Sequence, residues 1–303
     1  MTRRPWRWWI QGGVAAAVLA FLIPAFVRQW HEFRAVRISV HPAPAWLALS
    51  VGIVLATYLL QVESWRRVLA GWRQRLPLRI AIRAWCLSNL ARYLPGKVWS
   101  VAGLVVLVQR AGVEPWAATG SAVVAQALAL ATGIVAVAWA VPGIGHGVLL
   151  GLALAVATLV LLAMGSAKLM RVAARIVPGA QLRPLPLSAV FGGGLLMLAA
   201  WVGYGVAFWA LARGIGVTGL GLPDAVGLFT AGYIVGWLVL FAPAGVGARE
   251  LTLLNLLTPV AGAGGALSLI VASRLALTMT EVGAAGLALV IARQPASPPE
   301  GNE

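Results

Sequence analysis

Uninterrupted apolar runs as long as a bilayer is thick constrain this chain more than any other feature. A membrane core takes about 20 apolar residues per helix. Runs of that kind lie at Trp8–Val27, Ala43–Val62, Ala117–Val141, Val148–Ala167, Leu187–Leu211 and Ala266–Ala292. The composition is 61% hydrophobic and 10% charged, against about 25% charged in ordinary soluble domains. Too little polar surface remains to cover a water-soluble globule. The expected fold is therefore an all-α polytopic membrane protein, a single integral membrane domain over residues 1–303. A soluble enzyme, a disordered tail and a secreted disulfide scaffold are excluded. Cys86 is the only cysteine, so no internal disulfide can form. His31, His41 and His146 are scattered without metal-ligand spacing, and neither metal nor cofactor is expected. Arg3, Arg4 and Arg7 precede the first run as in a signal peptide. The run is longer than a usual signal core and no small-residue cleavage site follows, so it reads as a retained span.

Two further apolar stretches are broken in the middle. Ala84–Val108 is interrupted by Arg92, Pro95, Gly96 and Lys97, and Ala225–Leu257 by Pro243, Gly245, Gly247, Arg249 and Glu250. Each either crosses once or folds back as a re-entrant hairpin. Charge placement favours six full spans plus two hairpins. The net charge is +15, with 23 Lys+Arg against 8 Asp+Glu. In a soluble chain that would suggest nucleic acid. Here it suggests loops facing an anionic leaflet, with no nucleic-acid partner. With hairpins and a cytoplasmic N-terminus, fifteen basic residues fall in the inside segments: the N-terminus, Glu63–Arg83, Gln109–Trp116, Lys168–Arg183 and the C-terminus. Four (Arg28, Arg34, Arg37, Arg213) fall outside, and four (Arg92, Lys97, Arg249, Arg274) enter apolar stretches. That distribution satisfies the positive-inside rule. It predicts an inner-membrane protein with both termini cytoplasmic, the loop Gln109–Trp116 inside and Thr258–Gly265 outside. The arginines of the 66–83 segment would contact anionic headgroups.

Under this topology the chain divides into two halves of one plan, residues 1–145 and 146–293, followed by a short polar tail, 294–303. Each half crosses three times, so the second is inverted relative to the first. Pro95 and Pro243 are 148 residues apart, and so are Gln126 and Arg274 in the last span of each half. Inverted repeats with discontinuous helices place a transporter's substrate site at the breaks, near the midplane. Tryptophans at predicted span ends (Trp46, Trp65, Trp116, Trp139, Trp209) suit the headgroup level. Trp201 and Trp237 fall within runs, where packing between helices is expected. Gly192–Gly194 and the Gly232/Gly236 pair suggest close helix approach.

Ionisable residues within membrane segments are expensive and are usually functional. Arg92 and Lys97 flank the first Pro-Gly turn. They could hold a phosphate or other anionic headgroup, Arg as a bidentate fork and Lys as a point charge, or could snorkel to the interface. Arg249 and Glu250 are adjacent, so on a helix their side chains diverge by about 100° and must find partners elsewhere. Arg274 and Glu281, two turns apart on one face of the last span, are the candidates. A network of Arg249, Glu250, Arg274 and Glu281 would lower the desolvation cost of each, as a gate or as a structural lock. Asp224 marks the start of the second broken stretch as a possible helix cap. No zinc-protease, nucleophile-elbow or Walker signature is present.

Around the breaks the chain resembles a known family. Asn89-x4-Leu94-Pro95-Gly96-Lys97 followed by Arg110-x-Gly112, the run Ala242-Pro243-Ala244-Gly245-Val246-Gly247-Ala248-Arg249-Glu250, and Ser273-Arg274-Leu275 are similar to signatures of the lysylphosphatidylglycerol synthase transmembrane region, a flippase-like membrane family. Val246 replaces a glycine of the second signature, and Gln126 stands where members often carry an acidic residue. Bifunctional members add a soluble aminoacyltransferase domain, absent before Glu303, so lysyl transfer is not expected. The resemblance implies lipid transport, with phospholipid, hopanoid or polyprenyl-linked lipids as substrates and a possible glycosyltransferase or synthase partner. The expected activity is that of an inner-membrane flippase for a lipid with an anionic or zwitterionic headgroup. In it Arg92, Lys97 and Arg249 bind the headgroup, while Glu250, Arg274 and Glu281 gate. A membrane-embedded transferase and a non-transporting partner subunit are the alternatives.

Overall fold

The computed structural model describes residues 27, 43–93, 98–140, 146–176, 183–239, 245 and 247–291. The run Trp8–Val27 (except Val27), Pro95, Gly96, Lys97, Pro243 and the polar tail lie outside these. The described residues are helical, without strands: α1 (Pro44–Gly71), α2 (Leu78–Leu90), a 3-10 turn (Ala91–Tyr93), α3 (Val98–Gln109), α4 (Pro115–Ala140), α5 (His146–Gly165), α6 (Ala167–Ile176), α7 (Leu187–Gly214), α8 (Leu222–Leu238) and α9 (Ala248–Ile291). Five of these, α1, α4, α5, α7 and α9, are long and apolar enough to cross a membrane, and by that measure the molecule is a multi-pass membrane protein. Its outer faces carry exposed Leu152, Leu159 and Leu195, a surface that suits lipid.

Several boundaries differ from the hydropathy reading. α1 continues nine residues beyond Val62, through Glu63, Arg66 and Arg67. Glu63 pairs with Arg66 at 2.5 Å and with Arg67 at 3.6 Å, one turn on, which supports the helix. Trp65, Val68 and Leu69 are buried on its other side. Trp65, expected at the headgroup level, is instead fully buried, with its Nε1 donating to Ser121 Oγ at 3.0 Å. α6 lies within the expected polar stretch. Lys168, Arg171 and Arg175 are exposed while Met170 packs into the core. α9 joins the end of the second broken stretch to the last span, with a kink at Gly262 (φ 69°, ψ 163°) just after Pro259.

α1 and α7 run antiparallel in close contact. Ser50 Oγ donates to Ala207 O and Ser64 Oγ to Gly193 O, both at 2.8 Å. A Cβ on Gly193 would lie 3.3 Å from Ser64 O, and one on Gly203 only 2.5 Å from Thr57 Oγ1. The expected tight approach of the Gly192–Gly194 run is met there.

Two buried clusters occupy opposite ends of α1. One gathers Trp65, Val68 and Leu69 with α2, α3, the start of α4 and α6. The other gathers Val54 and Tyr58 with α7, α8 and α9. At the first end Gln74 and Glu114 exchange hydrogen bonds at 3.3 and 3.4 Å, and Arg183 stacks 3.9 Å over Trp116. The α2–α3 segment therefore begins and ends on one side of the bundle. Arg66, Arg73, Arg110 and Arg183 share that side. At the other end Ala43 N donates to Gly214 O at 3.0 Å, and Gly219 packs beneath Val260 O. The connection Gln109–Trp116 and the stretch Thr258–Gly265, which is the kinked part of α9 rather than a loop, thus lie at opposite ends.

Candidate functional site

Thirteen residues of α2 rise about 20 Å, less than a bilayer core, before the helix tightens into the 3-10 turn. That turn carries Arg92 and Tyr93 to α9. Arg92 Nη1 donates to Glu281 Oε1 at 2.8 Å, and Nη2 reaches Asn89 Oδ1 at 3.5 Å. The Tyr93 hydroxyl donates to Glu281 Oε2 at 2.9 Å and lies 3.0 Å from Thr278 Oγ1. Glu281 is only 4% exposed. Both of its oxygens have donors, so the buried carboxylate is neutralised and hydrogen-bonded together, as burial demands.

The second break lies between α8 and α9. Gly245 (φ 73°) and Gly247 (φ 90°) both take left-handed backbone, which glycine adopts without strain. Gly245 also presses on Gly236, whose backbone would sit 2.8 Å from an added Cβ. Glu250 closes the helix start. Its Oε2 accepts from the Gly247 amide at 2.7 Å, the carboxylate half of a capping box, and its Oε1 pairs with Arg274 Nη1. Arg249 points elsewhere. Its Nη2 reaches Ser273 Oγ at 3.5 Å, its guanidinium lies 5.3 Å from the Phe229 ring centre, and its buried Nε has no partner. Among the described residues no carboxylate lies within ion-pair distance of it. Asp224 sits in the first turn of α8, three residues after the N-cap Gly221.

A cavity of about 560 Å³ lies between the breaks. Arg92, Arg249, Arg274 and Glu281 line it, with Gln61 and Gln126 and an aromatic wall of Trp85, Trp201, Tyr204, Tyr233 and Trp237. Trp201 is buried and donates its Nε1 to Ala129 O at 2.9 Å. The structure thus brings together five of the six charged residues singled out in the sequence; Lys97 is outside the described residues. It divides the expected four-residue network into two pairs, Arg92–Glu281 and Glu250–Arg274. Arg274 and Glu281 share a face of α9 as expected, but each receives a different break. Sequence reasoning missed Tyr93, Thr278, Tyr204 and Tyr233. The spacing of Thr278 and Glu281, i and i+3 on the charged face of the last span, was the available signal for Thr278, and the place of Tyr93 beside Arg92 at the first break was that for Tyr93.

Residues 8–283 match the family model described as lysylphosphatidylglycerol synthase TM region. Both breaks and Glu281 fall within the match. No curated protein matches the chain significantly.

Proposed function

Because the chain belongs to the lysylphosphatidylglycerol synthase TM region family, we propose that it is an inner-membrane lipid flippase whose headgroup site is the cavity between the two breaks. One observation carries the reading: Arg249, 8% exposed and without a carboxylate partner among the described residues, faces a cavity formed where two discontinuous helices meet. A buried cation is tolerated when something neutralises it, and an anionic headgroup does so. The acyl chains stay in lipid against the apolar outer faces.

The order of elements supports the transporter design. α1, then α2–α3, then α4 has the same plan as α7, then α8 with the first part of α9, then the rest of α9. α5 takes the place in the second half that Trp8–Val27 takes in the first. In this reading the two broken segments are re-entrant hairpins entering from opposite sides, and the halves are inverted repeats. The arginine-rich end is cytoplasmic by the positive-inside rule, with both termini on that side. Arg249 is the principal headgroup residue. Arg92 and Lys97 act from the first break, while Glu250, Arg274 and Glu281 hold the breaks closed and release them during transport. Glu281 on the cavity wall and Glu250 at the second break are both engaged by arginines, an arrangement suited to holding charge.

The test is translocation in proteoliposomes. Purified protein should move labelled phosphatidylglycerol between leaflets faster than protein-free vesicles do, and Arg249→Ala should slow it at least tenfold. Failure to move any of phosphatidylglycerol, phosphatidylethanolamine and a polyprenyl phosphate would overturn the reading.

A further inference from the structure

We propose that the cavity selects a lipid headgroup with net negative charge and hydroxyl or phosphate oxygens, and rejects headgroups carrying an ammonium group. This deepens the lipid-transport reading and rests on it.

The charge balance comes first. Arg92 with Glu281 and Arg274 with Glu250 are neutral pairs, so Arg249 leaves one positive charge among the described cavity groups. A phosphodiester supplies one negative charge to meet Arg249. An ethanolamine headgroup is neutral overall, and a lysylated glycerol phosphate carries two ammonium charges against one phosphate. Neither cancels Arg249, and the second adds repulsion.

Hydrogen bonding points the same way. Two buried nitrogens have no partner: Arg249 Nε on α9 and Trp85 Nε1 on α2. Both residues line the cavity, one from each broken segment. Both groups are donors only, and a buried donor left unmade costs its full desolvation. A ligand oxygen satisfies each. An ammonium group is best met by a carboxylate, and the two described carboxylates at the breaks are engaged: Glu281 receives Arg92 and Tyr93, while Glu250 receives Arg274 and the Gly247 amide. On the aromatic wall the Tyr233 face already has a cation near it, with Arg92 6.0 Å from its ring centre. The volume, about 560 Å³, falls in the range of small-molecule sites, roughly 300–1,000 Å³. It leaves room for a hydroxylated group beside the phosphate.

The experiment is competitive binding read by native mass spectrometry. Full-length protein is incubated with equal amounts of phosphatidylglycerol, phosphatidylethanolamine and lysylphosphatidylglycerol of matched acyl chains. Phosphatidylglycerol should be retained at least tenfold over the other two. Arg249→Gln should bring the three within about twofold, a tenfold change being about 1.4 kcal/mol. Arg249→Lys should keep most of the preference, which separates lost charge from lost fold. Trp85→Phe should lower phosphatidylglycerol retention severalfold without favouring the ammonium lipids. Equal or better retention of either ammonium lipid, or an unchanged preference in folded Arg249→Gln, would sink the proposal. Displacement of the lipid by inorganic phosphate at equal concentration would assign the site to a free anion and overturn the lipid assignment. Translocation of all three lipids at equal rates would overturn the selectivity alone. No lipid movement at all would overturn the transport reading instead.

Discussion

The two breaks are built on one plan and wired differently. At the first, a cation and a phenol from the break, Arg92 and Tyr93, converge on a carboxylate of α9, Glu281. At the second, a carboxylate from the break, Glu250, goes to a cation of α9, Arg274, and the neighbouring Arg249 is left over. Every charge described at the first break is used to fix it in place. The second is fixed by one charge and presents another to the cavity. A lock and a binding group can therefore sit on adjacent residues, separated only by the angle between successive side chains on a helix. Both locks share α9, where Arg274 and Glu281 are about 10 Å apart along the axis, so one helix registers the position of both breaks.

The sharpest way to break this comparison is to remove the acid of the first lock. Glu281→Gln leaves Arg92, whose side chain is 25% exposed, beside a neutral amide. Loss of one partner of a fully buried pair costs about 3–5 kcal/mol, and the partial exposure of Arg92 brings the cost below the top of that range. A large fall in thermal stability in detergent is expected, and Arg92→Gln added to Glu281→Gln should recover much of it. If the single and double variants are equally stable, the first break is not held by this pair.

Much of this was legible in the sequence, for local reasons. Proline, glycine and arginine within apolar runs mark breaks wherever they occur, so the positions of both discontinuities and five of the described charges could be read directly. The pairing of Arg92 with Glu281 spans 189 residues and depends on how deep each segment reaches, which periodicity does not encode. The same limit applies to Trp65. Its position beside Glu63 and Arg66 reads as interfacial, yet α1 continues through it and buries one face against α4. Arg249 reads from the sequence as a headgroup residue, but that no described carboxylate pairs with it is hidden there because Glu250 stands next to it in the chain. The kinked continuity of α9 was missed because Pro259 and a glycine-rich stretch, read locally, look like a loop.

A second contrast lies within the second break itself. Gly245 and Gly247 have similar left-handed backbones, but only Gly245 faces a neighbour. Alanine at either position meets strain of about 1–2 kcal/mol. At Gly245 the new Cβ also meets the Gly236 backbone, an overpacking cost of about 1–3 kcal/mol, whereas Gly247 opens onto empty space. Gly245→Ala should therefore lower the unfolding midpoint clearly more than Gly247→Ala. Equal losses would mean that the break is not held against α8.

The smallest expected effect on stability is also the most discriminating. Arg249→Met and Arg274→Met remove the same charge from the same helix and keep a long apolar stem. Arg274→Met strands Glu250, so stability should fall, although Glu250 is partly exposed and retains the Gly247 amide; a loss nearer 1 than 5 kcal/mol is expected on that account. Arg249→Met strands no acid. It removes a buried donor that has no partner, and relieving such a group is worth about 1 kcal/mol, so stability should stay level or rise slightly. Lipid movement should nevertheless collapse in Arg249→Met, because the cavity then carries no uncompensated charge among its described groups. A residue whose loss costs function and leaves stability intact is serving the ligand. If Arg249→Met is instead the less stable of the two, Arg249 belongs to the lock and the difference between the breaks disappears.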